Sequence, residues 1–253
     1  TPDRTRTPDR SQPAFATFGS PYFAYLIALF VGVMLISNVT GTKGVLLFPD
    51  LSFQLGFVSV DGLVTDGAFL LFPLAYVVGD VVSEVWGFRA ARRSTLMAFA
   101  AGAFASLCFW IIIALPAAPF YEGQEAFAQT LGPVPLIVLA SLLGFLVGQL
   151  LNAYVLVKVK QRTRERHLWA RLISSTMVGE LVDTVIFCTI AAPIIGIDSW
   201  SGFLNYVLVG YVYKCAVEVI ILPITYPTIA WFKRHEPTYP RVEDDAAAGP
   251  ATR

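Results

Sequence analysis

The chain has 253 residues, of which 56% are apolar, 13% aromatic and only 14% charged. Soluble domains carry about 25% charged residues, so composition excludes a water-soluble globule of this size, and the aromatic content excludes a disordered chain. Lysine plus arginine equals aspartate plus glutamate, 18 each, a balance that points to no nucleic-acid partner.

In chain order, residues 1–20 carry Thr-Pro-Asp-Arg twice and read as a disordered, solvated tail. They lack the basic start, apolar core and cleavage site of a signal peptide. Three long blocks then contain no charged residue, at 11–42, 94–121 and 126–157. A membrane-crossing helix needs about 20 mostly apolar residues, so each block holds a span. Three further windows are as long but include charges: Asp80 and Glu84 in 67–88, Glu180 and Asp183 in 172–197, Lys214 and Glu218 in 199–231. The fold class expected is an all-α integral membrane protein with six transmembrane helices, at about 21–41, 67–86, 94–116, 133–157, 172–195 and 203–231. They form one domain over 21–232, and residues 233–253 form a second disordered tail.

The stretch 44–66 is too polar and irregular to span. Leu51, Phe53 and Leu55 alternate with Ser52 and Gln54, and Asp61-Gly62 is a good two-residue turn. It reads as a short outward hairpin or re-entrant stretch, with a plain loop as the alternative. Cys108, Cys188 and Cys215 lie inside apolar spans and read as small hydrophobes, with no disulfide or metal spacing.

Orientation follows from the loops, because positive charge marks the cytoplasmic side. Arg4, Arg6 and Arg10 precede the first helix; Arg89, Arg92 and Arg93 follow the second; a run from Lys158 to Arg171 follows the fourth; Lys233 and Arg234 follow the sixth. The alternate loops, 121–131 and 196–202, contain acids and no base, and Lys43 is the single exception. Both termini are expected in the cytoplasm, with Trp86, Trp169, Trp200 and Trp231 as interfacial anchors.

A charge at the bilayer centre costs roughly 2.5–3.5 kcal/mol on insertion scales, so such residues usually face a bundle interior and mark function. Asp80 and Glu84, Glu180 and Asp183, and Lys214 and Glu218 are three or four residues apart, so each pair shares a helix face. Five acids face one base. The excess acid must be protonated, hydrated or matched by a donor-rich or cationic ligand. Glu180 and Asp183 compete for one environment, and one of them is expected to carry a proton that moves with substrate. Two structural readings stand beside these: Glu84 as an interfacial partner of Arg89 or Arg92, and Lys214 as an ion pair locking helix 5 to helix 6. Gln149 and Asn152 share a face of helix 4, and Asn38 lies near the outer end of helix 1; packing alone can account for any of the three.

Several chemistries drop out. The sequence holds no GxxxxGK[ST] loop and no HExxH. His167 and His235 lie in basic regions away from any nucleophile. Gly79-Asp80 is only faintly like an intramembrane aspartyl protease, with no matching second Asp.

Ser37-Asn38, Phe72-Pro73-Leu74-Ala75-Tyr76 and the run from Asp80 through Glu84 and Gly87 to Arg92 resemble the queuosine precursor transporter family, also known as vitamin uptake transporter-like. Gln149, Asn152, Arg171, Ser174-Ser175-Thr176, Asp183-Thr184, Phe187, Tyr211, Lys214, Pro223 and Tyr226 extend the resemblance over about residues 21–232. It implies a multi-pass inner-membrane importer of cyano- or aminomethyl-deazaguanine, with six helices arranged like the substrate-binding subunits of energy-coupling-factor transporters. It implies no cofactor or metal, and it leaves a homo-oligomer open. The chemistry agrees with such a ligand. Its ring N–H and exocyclic amine suit a carboxylate, Asp183 or Glu180. Its O6 suits Lys214, Gln149 or Asn152, and its flat ring suits Phe187 and Tyr211. Asn38, Asp80 and Glu84 complete the expected substrate-binding set. Two alternatives stay open: an integral membrane enzyme using Asp80 or Asp183 as acid or base, and a binding subunit energised by a separate ATPase.

Overall fold

The computed structural model describes residues 15–55, 58–163 and 168–240, with the backbone alone at 55, 58–59, 149–150, 152–163 and 168–176. The chain is mostly helical. Helix α1 spans Pro21–Thr40. Pro21 sits at its first position, where a missing N–H costs nothing, and the Ser20 hydroxyl caps it by accepting from the Tyr22 N–H at 3.1 Å.

Strands β1 (Gly44–Leu55) and β2 (Val58–Asp66) follow as an antiparallel hairpin. The hairpin expectation therefore holds, but its turn lies elsewhere. Asp61 pairs with Ser52 inside the ladder, and the connection falls at residues 56–57, outside the described residues. The register shifts between Leu47 and Ser52, so several β1 residues bulge opposite Gly62. Gly62 has φ +70° there, a conformation an L side chain resists. The Asp-Gly pair thus serves a bulge instead of the turn.

A 3-10 turn over Gly67–Leu70 is capped by Asp66, whose carboxylate accepts from the Ala68 N–H at 2.9 Å. Helix α2 runs from Phe72 to Trp86. It buries Val78, Val81, Val82, Val85 and Trp86, an i, i+3, i+4, i+7, i+8 stripe. Gly87 at φ +82° turns the chain into α3 (Phe88–Ala114), and the Phe15 ring lies 3.1 Å from where a Cβ would stand. The outer loop expected at 121–131 contains a short helix, α4 (Gln124–Leu131). Helices α5 (Val134–Thr163), α6 (Leu168–Ala191) and α7 (Trp200–His235) complete the fold.

Among the described residues, four helical stretches are long and apolar enough to cross a membrane: Pro21–Thr40, Phe88–Ala114, Gln124–Gly148 and Trp200–His235. With 15 residues, α2 is about 22 Å long, short of a hydrocarbon core of about 30 Å. The second expected span is thus a 3-10 turn joined to a short helix. Large apolar side chains such as Phe104, Trp110, Ile220 and Ile224 are exposed, as a lipid-facing surface requires.

The described ends of both expected tails are packed. The Ala16 N–H donates to the Val85 carbonyl at 2.8 Å. The Ser20 hydroxyl donates to Glu236 Oε2 at 2.5 Å, and Thr238 Oγ1 donates to Glu236 Oε1 at 2.7 Å. Glu236 is fully buried by these contacts. Beneath them Phe23, Leu26, the valine stripe of α2, Trp86 and Ala90 form one apolar cluster, with Phe232 against it. A second cluster near the hairpin gathers Ile137, Cys188, Ala191, Ala192 and Tyr206.

Candidate functional site

The charged residues of α6 and α7 meet. Glu180 and Asp183 stand three residues apart on α6, and that spacing turns both carboxylates toward α7. Lys214 Nζ donates to Asp183 Oδ2 and lies 3.3 Å from Glu180 Oε2. The ammonium also sits over the Phe72 ring, 5.3 Å from its centroid. Lys214 is only 7% exposed, so the cation depends on those two acids for its charge balance. Tyr76, one turn beyond Phe72 on α2, lies in the field of Lys214, Glu180, Asp183 and Glu218. Its ring stacks on Phe72 at 6.4 Å.

A close helix seam holds α6 in place. A Cβ on Gly144 of α5 would stand 2.5 Å from Asp183 Oδ1, and one on Gly148 would stand 2.9 Å from the Gly179 carbonyl. Only hydrogen fits at either position. Gly144 and Gly148 form a GxxxG pair, the pattern that lets membrane helices approach closely. That signal is visible in the sequence and points to the backbone beneath Asp183.

Lys214 also borders a cavity of ≈ 20 Å³ lined by Thr65, Asp66, Phe72, Thr184, Phe187, Cys188, Tyr206, Gly210 and Tyr213. Asp66 is 3% exposed and accepts a 2.6 Å hydrogen bond from the Tyr206 hydroxyl. Burial pushes its carboxyl above the ordinary value, against the Tyr206 hydroxyl, the Ala68 N–H and the Lys214 cation. The hairpin is fastened to α7 around this point. Asn205 Nδ2 donates to the Gly62 carbonyl at 3.1 Å, and the Val64 N–H donates to Asn205 Oδ1 at 3.4 Å. The Tyr213 hydroxyl donates to the Phe69 carbonyl at 2.7 Å. Asp66, Asn205 and Tyr206 are not among the sequence candidates, because they sit at element ends that only the fold brings together.

The other candidates distribute as follows. Phe187 lines the cavity. Tyr211 is half-buried beside Cys215, within the field of Glu180 but outside the cavity lining. Asp80 and Glu84 are exposed on the face of α2 away from its valine stripe. Glu84 is held by Lys233 of α7 at 2.5 Å, in place of the expected Arg89 or Arg92. Those arginines lie beyond the reversal at Gly87, whereas α7 runs alongside α2. Asn38 is buried in a different place: its Oδ1 accepts from Ser141 at 3.3 Å, and it borders a largely apolar cavity of ≈ 120 Å³ between α1, α3 and α5. Gln149 and Asn152 lie on the backbone of α5, and their side chains lie outside the described residues, as do those of Arg171 and Ser174–Thr176.

Among the described residues, apolar helices pack around a buried ammonium and its carboxylates, the arrangement of a membrane protein with charge in its interior. Residues 66–228 match the family model described as "Putative vitamin uptake transporter". The chain belongs to this family. It is 28% identical over 170 residues to the "Probable queuosine precursor transporter" of Bacillus subtilis (strain 168), covering 67% of this chain and 73% of that protein. It is 27% identical over 168 residues to the "Queuosine precursor transporter" of Escherichia coli (strain K12), covering 64% of this chain and 72% of that protein. No solved structure matches the chain.

Proposed function

We propose that the protein imports the deazaguanine precursors of queuosine, in cyano or aminomethyl form, across the inner membrane. The observation that carries this reading is the buried Lys214–Asp183–Glu180 cluster beside the aromatic rings of Phe72 and Phe187. It combines acceptors for the ring N–H and exocyclic amine, a donor for O6, and flat surfaces for the base. The names of the two relatives support the same ligand class.

Six spans with both termini in the cytoplasm belong to this reading. The alternation of basic loops supports the orientation, and the Ser20–Glu236 contact supports both ends lying on one side. Proton coupling belongs to it as well, because two carboxylates share one ammonium and the second is the natural carrier of a transported proton.

The test is equilibrium binding to purified protein, with cyano- and aminomethyl-deazaguanine set against guanine and adenine. The deazaguanines are expected to bind, and Asp183→Asn to weaken them by roughly 1–3 kcal/mol, the cost of an unpaired buried donor. Wild-type affinity in a stably folded Asp183→Asn protein would assign the recognition to another carboxylate. Absence of deazaguanine binding to the wild type would refute the reading.

A further inference from the structure

Helix α7 contains two prolines, Pro223 and Pro227, one turn apart. Proline has no N–H, so the carbonyls of Val219 and Pro223 lose their helical donors. Between the prolines stands Thr225, 3% exposed, whose hydroxyl has no hydrogen-bond partner among the described residues. This is not the habit of the helix. Three residues on, Thr228 donates to the Ile224 carbonyl at 2.7 Å in the ordinary i−4 manner. The stretch 219–227 thus lacks part of the ordinary helical pairing, and prolines are where helices bend.

The two halves of α7 are fastened to different neighbours. The N-terminal half is tied to α6: Lys214 holds Asp183 and Glu180, and Tyr206 is buried with Cys188 and Ala191. Helix α6 in turn goes with α5, because the Gly144–Gly148 seam brings their backbones together. The C-terminal half is tied to α1 and α2: Ile229 and Phe232 pack on the valine cluster, Lys233 holds Glu84, and Glu236 accepts from Ser20. The prolines fall between these two sets of fastenings. The boundary between the sets is also where the packing is incomplete. The ≈ 120 Å³ cavity lies between Val134 and Val138 of α5 and the facing residues of α1 and α3. The ≈ 20 Å³ cavity is lined by Phe72 of α2 together with α6 and the N-terminal half of α7. Well-packed elements move as units, so displacement concentrates at such a boundary.

From these observations we infer that α7 is hinged at Pro223–Pro227. Its N-terminal half moves with α5 and α6 as one unit, against α1, α2, α3 and its own C-terminal half. Bending parts Phe72 and Tyr76 from Lys214 and its carboxylates, while α6 keeps its seam with α5. A flat ring then gains access to the charged cluster. The inference rests on the import reading above and adds to it the moving part.

The experiment locks the boundary and straightens the hinge in the full chain. A Cβ on Gly102 of α3 would stand 3.4 Å from Val138 Cγ1 of α5, so Gly102→Cys with Val138→Cys brings two thiols within reach across the boundary. Thr17→Cys with Thr238→Cys is the control, because those two residues bond to each other within one set. Cys108, Cys188 and Cys215 are replaced by alanine in both, and the bridge is scored by loss of thiol alkylation. Oxidation of the Gly102–Val138 pair should slow uptake of cyano-deazaguanine into proteoliposomes roughly tenfold or more, and reduction should restore it. Oxidation of the control pair should leave uptake unchanged. Pro223→Ala with Pro227→Ala returns both helical donors, so it should fold, and its uptake should also fall roughly tenfold. It decides the matter if the bridge does not form. Uptake that continues through the oxidised bridge, or at the wild-type rate in the proline variant, overturns the hinge and leaves the import reading standing. If wild type takes up no deazaguanine, the import reading fails, and the hinge is judged without ligand. Nitroxides at Val212 of α7 and Tyr25 of α1, both exposed, should then give a broad distance distribution that narrows in the proline variant. The same distribution in both proteins overturns the hinge.

Discussion

Replacing Lys214 by methionine isolates what the buried cluster contributes. Methionine keeps most of the length and apolar volume of the lysine stem, so packing changes little. The charge is lost, and Glu180 and Asp183 are left with side chains only 20% exposed. At an effective dielectric near 20, opposite charges 3.3 Å apart attract by about 5 kcal/mol. Removing one partner of a buried pair typically costs about 3–5 kcal/mol, because the remaining charge is uncompensated. Lys214→Met should therefore lose about 3–5 kcal/mol of unfolding free energy, measured by denaturant titration in detergent. Adding Glu180→Gln and Asp183→Asn removes the stranded charges and should restore most of that stability. Ligand binding should not return, since the donor and both anionic acceptors are then gone. The reasoning fails if Lys214→Met alone unfolds within about 1 kcal/mol of wild type, which would mean that water or protonation already balances the acids. It also fails if the triple variant stays as unstable as the single one.

Two other substitutions probe the framework. Gly148→Ala places a Cβ 2.9 Å from the Gly179 carbonyl, so the α5–α6 seam must open, and overpacking of this kind costs about 1–3 kcal/mol; Gly79→Ala, with no atom within 4 Å, should be neutral or stabilising in the same denaturant titration. Asn205→Ala removes both side-chain bonds to the hairpin, worth about 1 kcal/mol each, so hydrogen exchange of the β2 amides should quicken by roughly 5- to 30-fold while the helical amides do not change.

The long helices are readable from the sequence because lipid imposes a coarse rule: about 20 apolar residues with few charges. The rule works for α1, α3, α5 and α7, and it says less about α2, where a stretch long enough to cross begins as a 3-10 turn. The meeting of Glu180, Asp183 and Lys214 can be anticipated for a related reason. Charges within apolar windows are expensive, and opposite charges so placed seek each other. Asp80 and Glu84 obey the same premise with a different outcome. Helix α2 commits its valine stripe to the core, which carries both acids to the opposite face. Asn38 finds Ser141 on α5 and stays apart from the cluster. Amides make bonds wherever packing brings a partner, so their destination is decided by tertiary geometry. Asp66 is hidden for another reason: it closes a stretch too polar to span, and only the docking of β2 on α7 brings its carboxylate to Tyr206 beside the cavity.

That docking bears on how a solute could pass. Pockets that hold small ligands usually measure about 300–1,000 Å³, whereas the cavity beside Lys214 measures ≈ 20 Å³. A ring can enter only if a wall moves. The wall formed by α6 is the least able to yield, because Gly144 and Gly148 of α5 bring backbone against backbone behind it and a packed seam shifts as a unit. The wall formed by Thr65 and Asp66 differs in kind. The nearby contacts of the hairpin end with α7 include the two Asn205 bonds, the Tyr206 bond to Asp66 and the Tyr213 bond to Phe69. Polar contacts of this sort have net values near 1 kcal/mol apiece, since water or a ligand can replace each partner. Any donor that reaches Asp66 competes directly with the Tyr206 hydroxyl, one of those four bonds. A carboxylate that borders the cavity is thus also one of the fastenings that hold the hairpin against α7.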